Sequence, residues 1–222
     1  MHWNIILKLF GLSILAVMIG FVLYQPVIQP WHTRWGATNA EVKMVLPGDD
    51  IVTGEVSQTT RSITVHTTTA QIWPWLLQLG QGRGGMYSYD FLENLAGCDI
   101  HTLNAIDPTL QNLQLGDTIL LGPQEGLPYY RVVLLEPQKA LVLQSINRTN
   151  GAAGETWGFY LIEQSGNLTR LVVRQRTPPS LDRTEQVVNR IFEPIGFFME
   201  HRMLYGIRDH AEKMMSLANI SK

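Results

Sequence analysis

The stretch Glu155–Thr177, ETWGFYLIEQSGNLTRLVVRQRT, decides the fold. Its two halves, ETWGFYLIEQ and LTRLVVRQRT, are rich in aromatic and β-branched residues, and the Gln164-Ser165-Gly166-Asn167 link is turn chemistry. Strands joined by so short a link run antiparallel. Side chains two apart on a strand share a face, so Trp157 aligns with Phe159, and Arg174 with Arg176. Upstream, GDTILLG, YYRVVLLEP and KALVLQSIN carry the same texture, which extends the hairpin to a five-stranded antiparallel meander. Arg61-Ser62-Ile63-Thr64-Val65, alternating and β-branched, reads as an earlier strand.

Downstream, Pro178-Pro179 breaks the strand pattern. From Arg183 to about Leu217, apolar residues recur three and four apart, at Val188, Ile191, Ile195, Met199, Met203, Ile207, Ala211 and Met214, which is one long amphipathic helix. Pro194 removes a backbone donor from it near Gly196 and predicts a kink there. Between the first strand and the meander, Thr67–Thr69 offer caps for a helix over Ala70–Leu79, with Pro74 placed in its first turn, and Gly80 ends it. Tyr89–Ala96 is a second short helix, terminated by Gly97. The fold class is therefore α+β, a curved antiparallel sheet wrapped around a long C-terminal helix over residues 59–218. One helix covers such a sheet face incompletely, so an internal cavity is expected.

Ahead of this domain, Ile5–Tyr24 is almost wholly apolar apart from Lys8, a length that matches a spanning helix. No Ala-x-Ala site follows it, and Trp3, Tyr24, Trp31 and Trp35 would supply interfacial aromatics. The expectation is a transmembrane anchor over residues 1–25, a connector over 26–58, and a single-pass protein with its domain on the exported side. A net charge of −2, from 17 basic and 19 acidic residues, provides no electrostatic footprint for nucleic acid. The single cysteine, Cys98, excludes an intrachain disulfide framework and a multi-cysteine zinc site.

The glycine-rich stretch Leu79–Asp90, LGQGRGGMYSYD, satisfies G-x-G-x-x-G through Gly80, Gly82 and Gly85. A dinucleotide site needs a strand before such a loop and a helix start directly after it; here the loop follows a helix and no Walker lysine is present. Two readings remain for the loop, which also contains Gly84. In one, Arg83 makes a structural ion pair, with Asp90, Glu93 and Asp99 as partners and His101 capping the turn, so that the loop is simply ordered. In the other, the loop is a lid, and Arg83 with Tyr87 or Tyr89 orients a ligand's polar end. Cys98, Asp99 and His101 lack a distant fourth ligand for a metal, and Ser88 lacks the G-x-S-x-G elbow of a hydrolase nucleophile. No cofactor or metal is expected. On the sheet and final helix, Trp157, Met199 and Met203 are candidate cavity residues, and Arg174 becomes a ligand anchor if its face points inward.

The segments WGATNAEV, LPGDD, IWPWLLQLGQGRGGMYSYDFLENLAGCDIH and MEHRMLYGIRDHAE resemble a membrane-tethered bacterial branch of the START-related helix-grip (SRPBCC) superfamily. That superfamily includes polyketide cyclase/dehydrase-like proteins and plant pathogenesis-related allergens. The resemblance implies a helix-grip fold with a hydrophobic ligand cavity, and it implies no activity. Three functions follow as expectations. The first is a membrane-anchored module holding a lipid-like or polycyclic ligand. The second is a cyclase, dehydratase or hydrolase using polar groups of the same cavity. The third is a structural protein whose cavity is filled by its own side chains.

Overall fold

The computed structural model describes residues 8–15, 18, 20, 24–122, 128–180 and 182–220. Six strands form one sheet: β1 (Ser57–Val65), β2 (Thr118–Leu120), β3 (Tyr129–Glu136), β4 (Ala140–Ile146), β5 (Ala153–Gln164) and β6 (Leu168–Thr177). Their order is β1-β6-β5-β4-β3-β2 and every pairing is antiparallel, so the five-strand meander is present and β1 closes onto its last strand. Register shifts at Val132/Leu134 and Gln144/Ile146 mark bulges, the usual device for bending a sheet.

Helices α1 (Gln29–His32), α2 (Asn39–Lys43), α3 (Thr69–Leu77) and α4 (Asp90–Leu95) are short, and α5 (Arg183–Ile220) is long. Pro74 falls in the second turn of α3, not the first, because the helix already begins at Thr69. Its carbonyl accepts from Gln111 Nε2 at 3.3 Å. Pro194 lies inside α5, which continues on both sides of it.

The two faces of the sheet are covered by different parts of the chain. Inward, Ile63, Val65, Leu141, Trp157, Phe159, Leu171 and Val173 pack with Ile72, Trp75 and Leu76 of α3 and with Met203, Leu204, Ile207 and Ala211 of α5. Outward, Val142, Tyr160 and Val172 pack under Leu46, Met44 and Ile51. The stretch read as a connector therefore forms the outer layer. It is fastened by arginines on the outward face of β6. Arg170 makes a two-pronged pair with Glu41, at 2.7 and 2.9 Å, while Glu41 also closes the capping box at the start of α2 with Thr38. Burial works to raise the Glu41 pKa, but hydrogen bonds from Arg170 and the Thr38 N–H outweigh it and hold the carboxylate below its ordinary value. Thr33 and Trp35 carbonyls accept from Thr60 and Ser62 N–H at 2.8 and 3.1 Å, which covers the otherwise free edge of β1.

The single-pass membrane reading is overturned. Among the described residues no helix is long and apolar enough to cross a membrane. Within Ile5–Tyr24, residues 8–15, 18 and 20 are described as helical, and residues 5–7, 16–17, 19 and 21–23 lie outside the described ones. Two of the aromatics read as interfacial are docked on the domain instead. Tyr24 shares a 2.6 Å hydrogen bond with His32, and Trp35 packs edge-on against His201 at 4.3 Å.

One buried ion pair ties helix to sheet. Arg61, on the inward face of β1, donates from Nη1 to Glu200 Oε1 of α5 at 2.9 Å and from Nε to the His32 carbonyl at 2.8 Å. The two residues are 2% and 5% exposed. Removing one member leaves the other charged and buried, so Glu200→Ala is expected to destabilise the fold by about 3–5 kcal/mol in urea unfolding. The double variant Arg61→Met/Glu200→Met is expected to recover most of that loss.

Candidate functional site

The cavity lies where α5 crosses the inward face of the sheet. It measures about 240 Å³ and is lined by Tyr130, Trp157 and Gln175 from the sheet, Gly196, Met199, Glu200 and Met203 from α5, and Met86, Ser88, Glu93 and Leu121 from the intervening loops and α4. A larger open concavity of about 530 Å³ sits on the other side, between Pro47 and the β3–β4 turn. It is a furrow beside a hairpin and receives neither the buried ion pair nor the aromatic cluster, so the inner cavity is the better candidate.

Its polar groups are mostly engaged. Glu200 Oε2 accepts from Trp157 Nε1 at 3.2 Å while its other oxygen holds Arg61, so both residues are fixed in the wall. The Tyr130 hydroxyl donates to Glu155, and burial followed by the Glu155 carboxylate pushes its pKa well up. Ser88 Oγ donates to the Met199 carbonyl at 2.9 Å. Glu93 differs: its Oε2 is buried without a hydrogen-bond partner among the described residues. Burial, with a smaller contribution from Asp90, raises its pKa to about 7.

Of the ligand-contact candidates taken from the sequence, the structure brings Trp157, Met199 and Met203 to this cavity. The others lie elsewhere. Arg174 is on the opposite face of the sheet, donating to Asp49 Oδ2 at 2.6 Å and to the carbonyls of Met44 and Glu41 at 2.8 and 2.7 Å. Strand parity decides this, since Val173 and Gln175 take the inward positions on either side. Arg83 reaches the Leu77 and Leu110 carbonyls at 2.8 and 3.0 Å rather than a carboxylate. Tyr87 is buried at the α3–α5 contact, edge-on to Trp75 at 5.7 Å, and Tyr89 stacks on Phe198 at 4.7 Å.

The glycine loop is a small closed knot. Gly80 and Gly85 exchange backbone hydrogen bonds at 3.0 and 3.1 Å, the Gly84 carbonyl accepts from Leu103 N–H at 3.1 Å, and Gln81 N–H donates to the Leu120 carbonyl at 2.7 Å. Gly80 and Gly85 have φ of 120° and 79°, and a Cβ on Gly84 would stand 2.7 Å from the Gln78 carbonyl oxygen, so both conformation and space call for glycine. Beyond it, Asp90 accepts from Thr102 N–H and Oγ1 at 2.8 and 2.6 Å, which anchors the next turn. Asp99 and His101 form an exposed 3.1 Å pair of their own. Among the described residues no cluster of three or more His, Cys, Asp or Glu is placed to hold a metal ion.

Arg61, Glu200, Tyr130 and Gln175 were not singled out by sequence reasoning, and Ser88 was weighed only as a hydrolase nucleophile. An arginine at an inward position of β1 was the available signal, because strand alternation places Arg61 on the same side as Ile63 and Val65.

A curved antiparallel sheet closed by one long C-terminal helix, with a cavity between them, is a helix-grip arrangement. Solved structures similar to this chain include an aromatase/cyclase from a Streptomyces species (9% identity, TM-score 0.46, covering 72% of this chain and 96% of that one). A protein from Mesorhizobium loti is 13% identical, with a TM-score of 0.42 and coverage of 71% and 98%. A polyketide cyclase-like protein from Corynebacterium glutamicum is 14% identical, with a TM-score of 0.37 and coverage of 70% and 91%. No family model and no curated protein matches the sequence.

The raised Glu93 pKa has a consequence for stability. The folded state holds this proton more tightly than an ordinary glutamate with a pKa of 4.5 does, so the ionised form opposes folding. That penalty is absent below about pH 4.5, grows as the pH rises, and is complete above about 7. Glu93→Gln is expected to flatten the decline in stability between pH 5 and 8, and to gain about 1–2 kcal/mol at pH 8 after allowance for solvent screening. Chemical denaturation of both proteins across that range measures it.

Proposed function

We propose that the protein is a binding module for an apolar small molecule, seated in the cavity between the sheet and α5. One observation carries the reading: the space under α5 remains open, at about 240 Å³, where side chains could have filled it, and its walls are Trp157, Met199, Met203, Met86 and Leu121. Methionine side chains adapt to irregular apolar shapes, which suits a cavity that accepts a guest. The filled-core alternative sits poorly with that volume. For the enzymatic alternative, Ser88, Tyr130 and Glu200 are already bound within the wall, so among the described wall groups it would rest on the Glu93 carboxylate.

Calorimetry with linear 1-alkanols from hexanol to decanol tests this. Each methylene that enters the cavity is worth about 0.8 kcal/mol, so affinity is expected to rise roughly fourfold per carbon and to level off once the space is full. An added Cβ at Gly196 meets nothing within 4 Å. Gly196→Phe is therefore expected to leave the fold intact, place its ring beside the cavity, and weaken the longer alkanols by at least tenfold. Absence of any chain-length dependence would remove the binding reading.

A further inference from the structure

The cavity is chemically one-sided. Among the described residues its ionisable wall groups are two glutamates and a tyrosine, and the adjacent cation, Arg61, is held by Glu200 and the His32 carbonyl. Glu200 is thereby neutralised. Glu93 is not: Asp90, one turn away on the same helix, acts on it and is also acidic. Among the described residues, the other titratable groups around it are Cys98 in the following loop, Tyr130 from β3 and Glu200 from α5, and none of these is a cation. A buried carboxylate oxygen with no donor is costly, and a guest that brings a donor relieves that cost. A guest bringing a carboxylate or phosphate would meet like charge.

Aromatic placement points the same way. Trp157 and Tyr130 both line the cavity with ring centroids 5.8 Å apart, and aromatic faces attract ammonium groups and repel anions. The volume of about 240 Å³ corresponds to roughly eight water volumes, enough for a body of about ten non-hydrogen atoms.

We propose that the ligand is an amphiphilic amine, an ammonium group on a compact apolar body, and that Glu93 is its counter-ion while Trp157 and Tyr130 flank the charge. The assignment rests on the reading of this cavity as a ligand site. It makes binding proton-linked, because the ammonium pairs with the ionised carboxylate. An alkylamine keeps its charge to pH values near that of lysine, ~10.4, so the pH dependence between 6 and 8 reports Glu93.

Octylamine, 1-octanol and octanoate, which share one apolar chain, separate the possibilities in calorimetric titrations of the full chain at pH 6 and 8. Octylamine is expected to bind at least tenfold more tightly than 1-octanol at pH 8, with octanoate weakest, and the margin is expected to narrow at pH 6. In Glu93→Gln, octylamine is expected to fall to the affinity that 1-octanol shows for the same variant, and thermal unfolding checks that this variant is folded. If 1-octanol or octanoate matches octylamine on the wild-type chain, or Glu93→Gln keeps the preference, the amine assignment is overturned while the apolar cavity stands. If none of the three binds, both fall.

Discussion

The contact on which this architecture depends is the buried pair Arg61–Glu200. A helix lying on a curved sheet can slide or roll while keeping its apolar contacts, because hydrophobic attraction is not directional. A guanidinium locked to a carboxylate at 2.9 Å, with the same carboxylate holding the Trp157 indole and the same guanidinium holding the His32 carbonyl, sets one register among β1, β5, α5 and α1. Such a pair adds little to net stability compared with an apolar substitute, and its contribution here is to position. The cavity exists because α5 is held at that point, beside Met199 and Met203, while the space toward Tyr130 and Glu93 stays open.

The outer face obeys a different rule. Its three arginines on β6 are turned away from the cavity and into the segment before β1. Arg170 takes Glu41, Arg174 takes Asp49 and the Met44, Glu41 and Val42 carbonyls, and Arg176 takes the Val52 carbonyl and, on β1 itself, Gln58. This layer lets both faces of a small antiparallel sheet be covered without a second long helix. It also explains why a strand as central as β6 can carry so many charged residues.

Strands and the final helix were legible in the sequence because alternation and three-to-four spacing are local signals. The hairpin Glu155–Thr177 predicts its own pairing, and residues 183–220 show their period without help. What escaped was direction. Arg174 reads equally well inward or outward until one knows that Val173 faces the core, and Arg83 reads as a carboxylate partner until the carbonyls of Leu77 and Leu110 are placed beside it. Ile5–Tyr24 read as a membrane span from its hydropathy, the nearby aromatics and the missing Ala-x-Ala site, and none of these local signals registers the contact Tyr24 makes with His32. Glu93 read with Asp90 and Asp99 as a loop-ordering partner for Arg83; in the structure Asp90 anchors Thr102, while Glu93 lines the cavity. The difference between two carboxylates one helical turn apart is burial, which depends on parts of the chain far away.

Helix α5 is loaded unevenly along its length. Beyond Glu200, residues Met203, Leu204, Ile207 and Ala211 are sunk into the core, whereas before it Val187, Val188, Phe192, Ile195 and Phe198 are exposed. The earlier part is clasped from one side, by Gln29 and Tyr24 on Glu193 and by Trp31 on Phe197. Mechanically this is a cantilever with its fulcrum at the ion pair and a clasp partway along the free arm. Pro194 weakens the arm's own backbone ladder close to the clasp. Gly196 and Met199 sit between clasp and fulcrum, so bending of the arm would change the width of the cavity mouth without disturbing the core that holds the other end.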